Sequence, residues 1–149
     1  MRAVIQRVTR AKVTVEERVT GEIGNGLVVL LGIAHDDDED DADYLAHKIA
    51  ALRIFDDDAG RMNVSLKDIA GGILIISQFT LYGDARRGLR PSWSDAAQPE
   101  AAEPLYEYFV RKMRDLLGRV ETGSFRKMMQ VELVNDGPVT IMVDSRKMF

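Results

Sequence analysis

Gly72-Ile73-Leu74-Ile75-Ile76-Ser77-Gln78-Phe79-Thr80 is the stretch on which the fold turns. Its first five residues are apolar on both faces of an extended chain, which predicts a central strand covered on both sides. Then the pattern stops. Ser77, Gln78 and Thr80 are polar where a plain strand would continue, so the run ends in hydroxyls and an amide. A second strand-like run ends in a similar way, at Asn135-Asp136-Gly137-Pro138-Val139-Thr140. Glycine allows close backbone approach, while proline fixes φ and removes a donor. A rigid Gly137-Pro138 corner can aim main-chain carbonyls at a ligand and present no side chain of its own. The same dipeptide also reads as a tight turn between strands.

On the N-terminal side of the central strand the chain reads as strands and one helix. Arg2–Thr9 and Lys12–Glu16 are rich in β-branched residues, and Val13 and Val15 alternate with polar neighbours. Val19–Ile23 follows a polar turn, and Gly24-Asn25-Gly26 leads into Leu27–Ile33. Glu39 to Leu52 reads as a helix with Leu45, Ile49 and Leu52 on one face. The acid run from Asp36 to Asp41 lacks the glycine and distal glutamate of an EF-hand loop, and reads as carboxylates on the helix N-terminus. Asp56-Asp57-Asp58-Ala59-Gly60 reads as a solvated turn.

On the C-terminal side, a loop from Tyr82 to Gln98 carries Arg86, Arg87, Arg90 and Trp93. Pro99 fits the first turn of a second helix, with Leu105, Phe109, Met113 and Leu116 as its buried stripe and Gly118 as its stop. Met129–Leu133 alternates as a strand, Gly137-Pro138 breaks it, and Val139–Val143 is the last strand. The pattern predicts one α+β domain over residues 1–149, with a compact, mostly antiparallel, barrel-like sheet and two long helices.

Composition narrows the function. The chain has 149 residues, 46% of them hydrophobic, enough for one real core. No apolar run approaches the roughly 18–20 residues that span a bilayer, and the opening Met1-Arg2-Ala3-Val4-Ile5 enters a strand directly, so a cytoplasmic protein without a membrane partner is expected. There is no cysteine, which excludes disulfides, zinc-thiolate sites and cysteine nucleophiles. A net charge of −4 argues against bulk capture of nucleic acid, DNA included. Local cations at Arg86–Arg90, Arg111–Arg114 and Arg126-Lys127 still suffice to hold one RNA end.

The histidines, His35 and His47, lie far in sequence from both special segments, so a Ser-His-Asp triad has little support. No HExxH-like cluster suggests a metal, and no cofactor is expected. What remains are the hydroxyls of Ser77 and Thr80, the amide of Gln78 and the main-chain N–H of Phe79. Donors of this kind at a strand end can stabilise an oxyanion or hold a carbonyl. Thr80 could act as nucleophile only with a base, and none is evident. The two hydroxyls could equally cap the end of a buried strand.

Five segments in one order carry a family resemblance: Gln6-Arg7-Val8, Thr20-Gly21-Glu22-Ile23-Gly24, Ser77-Gln78-Phe79-Thr80-Leu81, Arg87-Gly88-Leu89-Arg90-Pro91-Ser92 and Asn135-Asp136-Gly137-Pro138-Val139-Thr140. Together they resemble the D-aminoacyl-tRNA deacylases, chiral-proofreading hydrolases, from Met1 to about Val143. The resemblance implies a homodimer whose sites lie at the interface. Gly137-Pro138, with a cis bond, would enter the partner's pocket, bind the α-amino group through its carbonyls and leave no room for an L side chain. Ser77, Gln78, Phe79 and Thr80 would surround the scissile ester and the terminal adenosine, Met129 would contact substrate, and Arg7 would brace the corner. The reaction implied is hydrolysis of D-aminoacyl-tRNA, with glycyl-tRNA mischarged on tRNA-Ala also accepted. The missing base is then explicable if the ribose 2′-hydroxyl orients or activates the water.

The chain departs from the family pattern at three places. Gly123-Ser124-Phe125-Arg126-Lys127-Met128-Met129 carries two long cations where small residues are usual, Trp93 replaces phenylalanine, and Asp144–Phe149 runs past the family core. Two other readings stand beside the deacylase: the same fold editing another mischarged tRNA, such as an L-alanyl one, and a non-catalytic nucleic-acid or scaffold dimer.

Overall fold

The computed structural model describes residues 1–149. Its elements run β1 (Arg2–Val15), β2 (Arg18–Ile23), β3 (Gly26–Gly32), α1 (Glu39–Ala51), β4 (Phe55–Asp56), β5 (Met62–Val64), β6 (Gly72–Ser77), a 3₁₀ turn (Phe79–Tyr82), α2 (Pro99–Leu117), β7 (Val120–Thr122) and β8 (Gln130–Asp144). The main sheet has the order β2-β1-β3-β6-β7, with β8 also paired to β1. β1 is antiparallel to β2, β3 and β8, whereas β3–β6 and β6–β7 are parallel. The sheet curls until β2 meets β7: a Cβ on Gly21 would lie 2.6 Å from the Thr122 carbonyl oxygen. The result is a nearly closed mixed barrel-like sheet with two helices, as the patterning predicts.

The central strand explains both cores. Ile73 and Ile75 face the larger cluster, where Leu45 and Ile49 of α1 and Phe109 and Met113 of α2 pack on Ile5, Leu27 and Leu31. Leu74 and Ile76 point the other way, into a smaller cluster with Val8, Val13, Ile23 and Val28. Burying each such side chain contributes about 1.5–3 kcal/mol. Close pairing of β3 with β6 needs glycine, because a Cβ on Gly26 would overlap the Gly72 carbonyl. The acid run caps α1: the Asp38 carboxylate accepts from the N–H groups of Asp40 and Asp41, and Asp41 returns the bond to the Asp38 N–H. α2 opens on Pro99 and stops at Gly118, whose φ is +81°.

Three strand expectations need correction. Arg2–Thr9 and Lys12–Glu16 are one continuous strand, because each half has its own partner, β3 for the first and β2 for the second. Met129–Leu133 and Val139–Val143 are likewise joined, since β8 pairs with β1 on both sides of Gly137-Pro138. The dipeptide therefore makes an excursion in the ladder and does not end the strand. Gln6 pairs with Thr140 and Val8 with Asn135, so Arg7 alone faces residues 136–139. Finally, β4, β5 and β7 escape sequence patterning, being only two or three residues long.

Candidate active site

β3 and β6 run parallel, and their carboxyl ends stop side by side at Gly32 and Ser77. Crevices beyond the carboxyl ends of parallel strands are common ligand sites. Here the Gln78 N–H still bonds to the Leu31 carbonyl at 2.8 Å, and then the backbone turns into the 3₁₀ segment that carries Phe79 and Thr80. A cavity of about 540 Å³ opens at this point. Ile76, Ser77, Gln78 and Phe79 form its floor and one wall. Gln98, Pro99 and Ala102 of the α2 N-terminus line it, as do Phe125 to Met129 from the segment that joins β7 to β8. Met129 folds in because Gly123 has no side chain: a Cβ there would lie 2.6 Å from the Met129 sulfur.

The wall nearest solvent is aromatic. Phe79 and Trp93 stack edge to face with centroids 5.4 Å apart, and are 55% and 42% exposed. Trp93 follows a short hairpin closed by the Asp84–Ser92 bridge. Arg86 grips Asp84 through two bonds of 2.8 and 2.7 Å, and these hold the Asp84 carboxyl down to about 2.

The polar groups at the strand end are hydroxyls and amides. Gln78 Nε2 donates to Thr80 Oγ1, so the threonine oxygen is already oriented. Thr80 is exposed and lies beside the cavity, outside its lining. No imidazole or carboxylate bonds to it. His35 faces the Asp95 carbonyl and Asp36, and His47 sits exposed on α1. The cavity lining contains no histidine, aspartate or glutamate.

The second special segment lies elsewhere. Gly137-Pro138 is a cis peptide at the exposed apex of the β8 excursion. Arg7, only 7% exposed, fills the space beneath it. Its Nε donates to the Asp136 carbonyl at 2.9 Å, one terminal nitrogen donates to the Ile54 carbonyl at 2.8 Å, and the Asp136 carboxylate stands 3.2 Å away. Asn135 Nδ2 bridges the base of the excursion, donating to the carbonyls of Arg7 at 2.9 Å and Val139 at 3.1 Å. The corner is thus fixed from below by side chains and free above.

The structure brings Ser77, Gln78, Phe79 and Met129 to one cavity, with Thr80 at its edge. It brings Arg7 to Gly137 and Pro138. It does not bring these two groups together within one chain: β1 and β3 intervene between β8 and β6. Ala96, Ala97, Gln98 and Ala102 carry no functional signal in the sequence. They are small or plain residues, placed at the cavity by the Ala34–Ala96 bridge that pins the loop to the end of β3.

Known proteins agree with this architecture. The family model described as D-Tyr-tRNA(Tyr) deacylase matches residues 4–144. The D-aminoacyl-tRNA deacylase of Symbiobacterium thermophilum is 59% identical over 149 residues, covering 100% of this chain and 99% of its own. That of Koribacter versatilis is 60% identical, with both chains covered in full. Among solved structures, the c-Myc DNA Unwinding Element Binding Protein superposes with a TM-score of 0.92 at 39% identity, covering 97% of this chain and 98% of that one. A probable eukaryotic D-amino acid tRNA deacylase shares the fold, with a TM-score of 0.86 at 17% identity and coverage of 96% and 98%. With a family match over nearly its whole length and relatives this similar from end to end, the chain belongs to the D-Tyr-tRNA(Tyr) deacylase family.

Proposed function

We propose that this protein hydrolyses the ester that joins a D-amino acid to the 3′ end of tRNA, and that two copies of the chain share each site. The observation that carries the shared site is the separation of the two special segments. The Gly137-Pro138 corner is braced and solvent-facing, yet neither it nor any other residue of the β8 excursion lines the cavity of its own chain. In a homodimer the corner of one subunit would enter the partner's cavity. Its carbonyls would accept hydrogen bonds from the substrate ammonium, and the rigid backbone would occupy the space that an L side chain needs. Recognition of this kind works by exclusion and ignores side-chain identity. Glycine offers nothing to exclude, so glycyl-tRNA mischarged on tRNA-Ala is a further substrate.

The chemistry would fall to the strand end. The Phe79 N–H with the Ser77 hydroxyl and the Gln78 amide would polarise the ester carbonyl, and Thr80 would help hold it. A protein base is missing from the cavity lining, which favours a substrate 2′-hydroxyl as the group that orients the attacking water. The tRNA would then be part of its own hydrolysis.

The test is hydrolysis of D-tyrosyl-tRNA and L-tyrosyl-tRNA by the purified protein without added metal. Loss of the D ester alone supports the reading. Loss of both, or of L-alanyl-tRNA only, replaces it with a different editing activity, and loss of none overturns it. Sharing is tested by mixing Gly137→Ala with Gln78→Ala subunits. Activity recovered in the mixture, above that of either variant alone, supports sites built from two chains.

A further inference from the structure

The only charged residues lining the cavity are Arg126 and Lys127, in a protein whose net charge is −4. Neither is held in a close ion pair. The ion pair of Arg126 is with Glu100 at 3.9 Å, between side chains 70% and 78% exposed, a geometry that holds little. Lys127 is exposed and forms no ion pair. The backbone here turns sharply, and Arg126 sits at φ +61° in the left-handed region that side-chain-bearing residues rarely adopt. That turn sets two long cations side by side on the cavity rim. The same cavity presents the exposed Phe79–Trp93 pair. Aromatic faces beside exposed, weakly held cations are the chemistry of single-stranded nucleic-acid binding, where bases stack and phosphates are neutralised.

We propose that Arg126 and Lys127 clamp the phosphodiester groups that precede the terminal nucleoside of the RNA 3′ end. The inference rests on the cavity being the site of an RNA-borne ester, and it assigns the rim cations a positioning role for the strand, with no part in the bond cleavage.

The experiment compares wild type with the Arg126→Gln/Lys127→Gln double variant, which keeps polar, unbranched side chains and removes the charge. Two readouts are taken across a range of salt: binding of a fluorescent CCA trinucleotide, and hydrolysis of D-tyrosyl-CCA relative to D-tyrosyl-adenosine, which has no phosphate. The wild-type preference for the trinucleotide ester is expected to fall about tenfold in the variant. The slope of log affinity against log salt is expected to flatten by about 1.4, or roughly 0.7 for each lost phosphate contact. An Arg126→Lys/Lys127→Arg exchange should restore the slope. Equal slowing of both esters, or an unchanged slope, overturns the clamp and leaves the two residues as mere shapers of the rim. If wild type cleaves neither ester yet binds CCA with a slope that the variant lacks, the clamp stands and the hydrolytic reading falls.

Discussion

The β8 excursion and the end of β6 are both irregular, and they are irregular in opposite senses. At the excursion, side chains hold and main chain is displayed: Arg7 and Asn135 grip the loop from beneath, and Gly137-Pro138 faces outward. At the strand end, the ladder holds and side chains are displayed: Gln78 stays anchored to β3 through its N–H, while Ser77, Gln78 and Phe79 line a cavity. The contrast suggests a division of labour. On the proposed reading, the displayed backbone would recognise a shape shared by all amino acids, and the displayed side chains would act on one ester bond.

The strongest challenge to that division is chemical. If the strand end works with the substrate's own hydroxyl, a 2′-deoxy terminal adenosine should lower the rate by about 10³-fold, within the range for general base catalysis. Thr80→Ala should cost less than about tenfold, the loss of one hydrogen bond. Single-turnover rates on the two substrates check this, and the reverse pattern would make Thr80 the activating group.

Next in size is the corner. In Gly137→Ala the new Cβ would overlap the Asn135 side-chain oxygen, forcing the displayed backbone to move. A displacement near 1 Å costs on the order of 10²-fold. The loss should fall on D-aminoacyl esters, while CCA binding at the cavity persists, because no residue of the excursion lines it. If CCA binding collapses as well, the two regions are not separable.

Arg7→Ala sharpens the point through stability. It removes a buried guanidinium from the carbonyls of Asp136 and Ile54 and leaves both without that donor. A loss of about 2–3 kcal/mol in urea unfolding and roughly thirtyfold in deacylation is expected. Arg7→Lys should recover some stability and little activity, because one ammonium cannot span partners set for a planar fork.

The smallest effect concerns the histidines. His35→Ala and His47→Ala should each stay within about twofold of wild type, since neither side chain reaches the cavity. The pH profile of kcat/KM should accordingly lack a break near 6.5, the ordinary histidine value. A break removed by either substitution would put a base where the structure has none.

The helices and the central strand were legible because their residues face one environment along their whole length. Leu45 and Ile49 keep helical spacing, and Ile73 to Ile76 are apolar on both faces because both faces are buried. The strand boundaries were less so. Arg7 sits mid-strand and reads as a polar position on an ordinary ladder, although the register slips across it, between Gln6 and Val8, and again between Val8 and Arg10. Nothing local tells a strand that partners will change along its length, as they do for β1. The pocket was half visible. Ser77 to Thr80 announce themselves by interrupting an apolar run, whereas Ala96, Ala97 and Ala102 reach the cavity only through tertiary packing. The separation of the two special segments could not be read at all, since it follows from strand order and not from residue type.

That strand order also governs when the molecule can be finished. β1 is made first, and β3 covers one of its edges soon after. The other edge waits for β8, whose pairing joins Arg2 to Asp144 and Thr14 to Gln130. During synthesis at 5–20 residues per second that wait is about 6–25 s. For this interval a fourteen-residue strand carries an uncovered row of donors and acceptors, and Arg7 has no corner to hold. The bracing of the corner and the closing of the sheet both wait for β8, so a chain cut short within that strand keeps an adhesive edge and an unbraced corner.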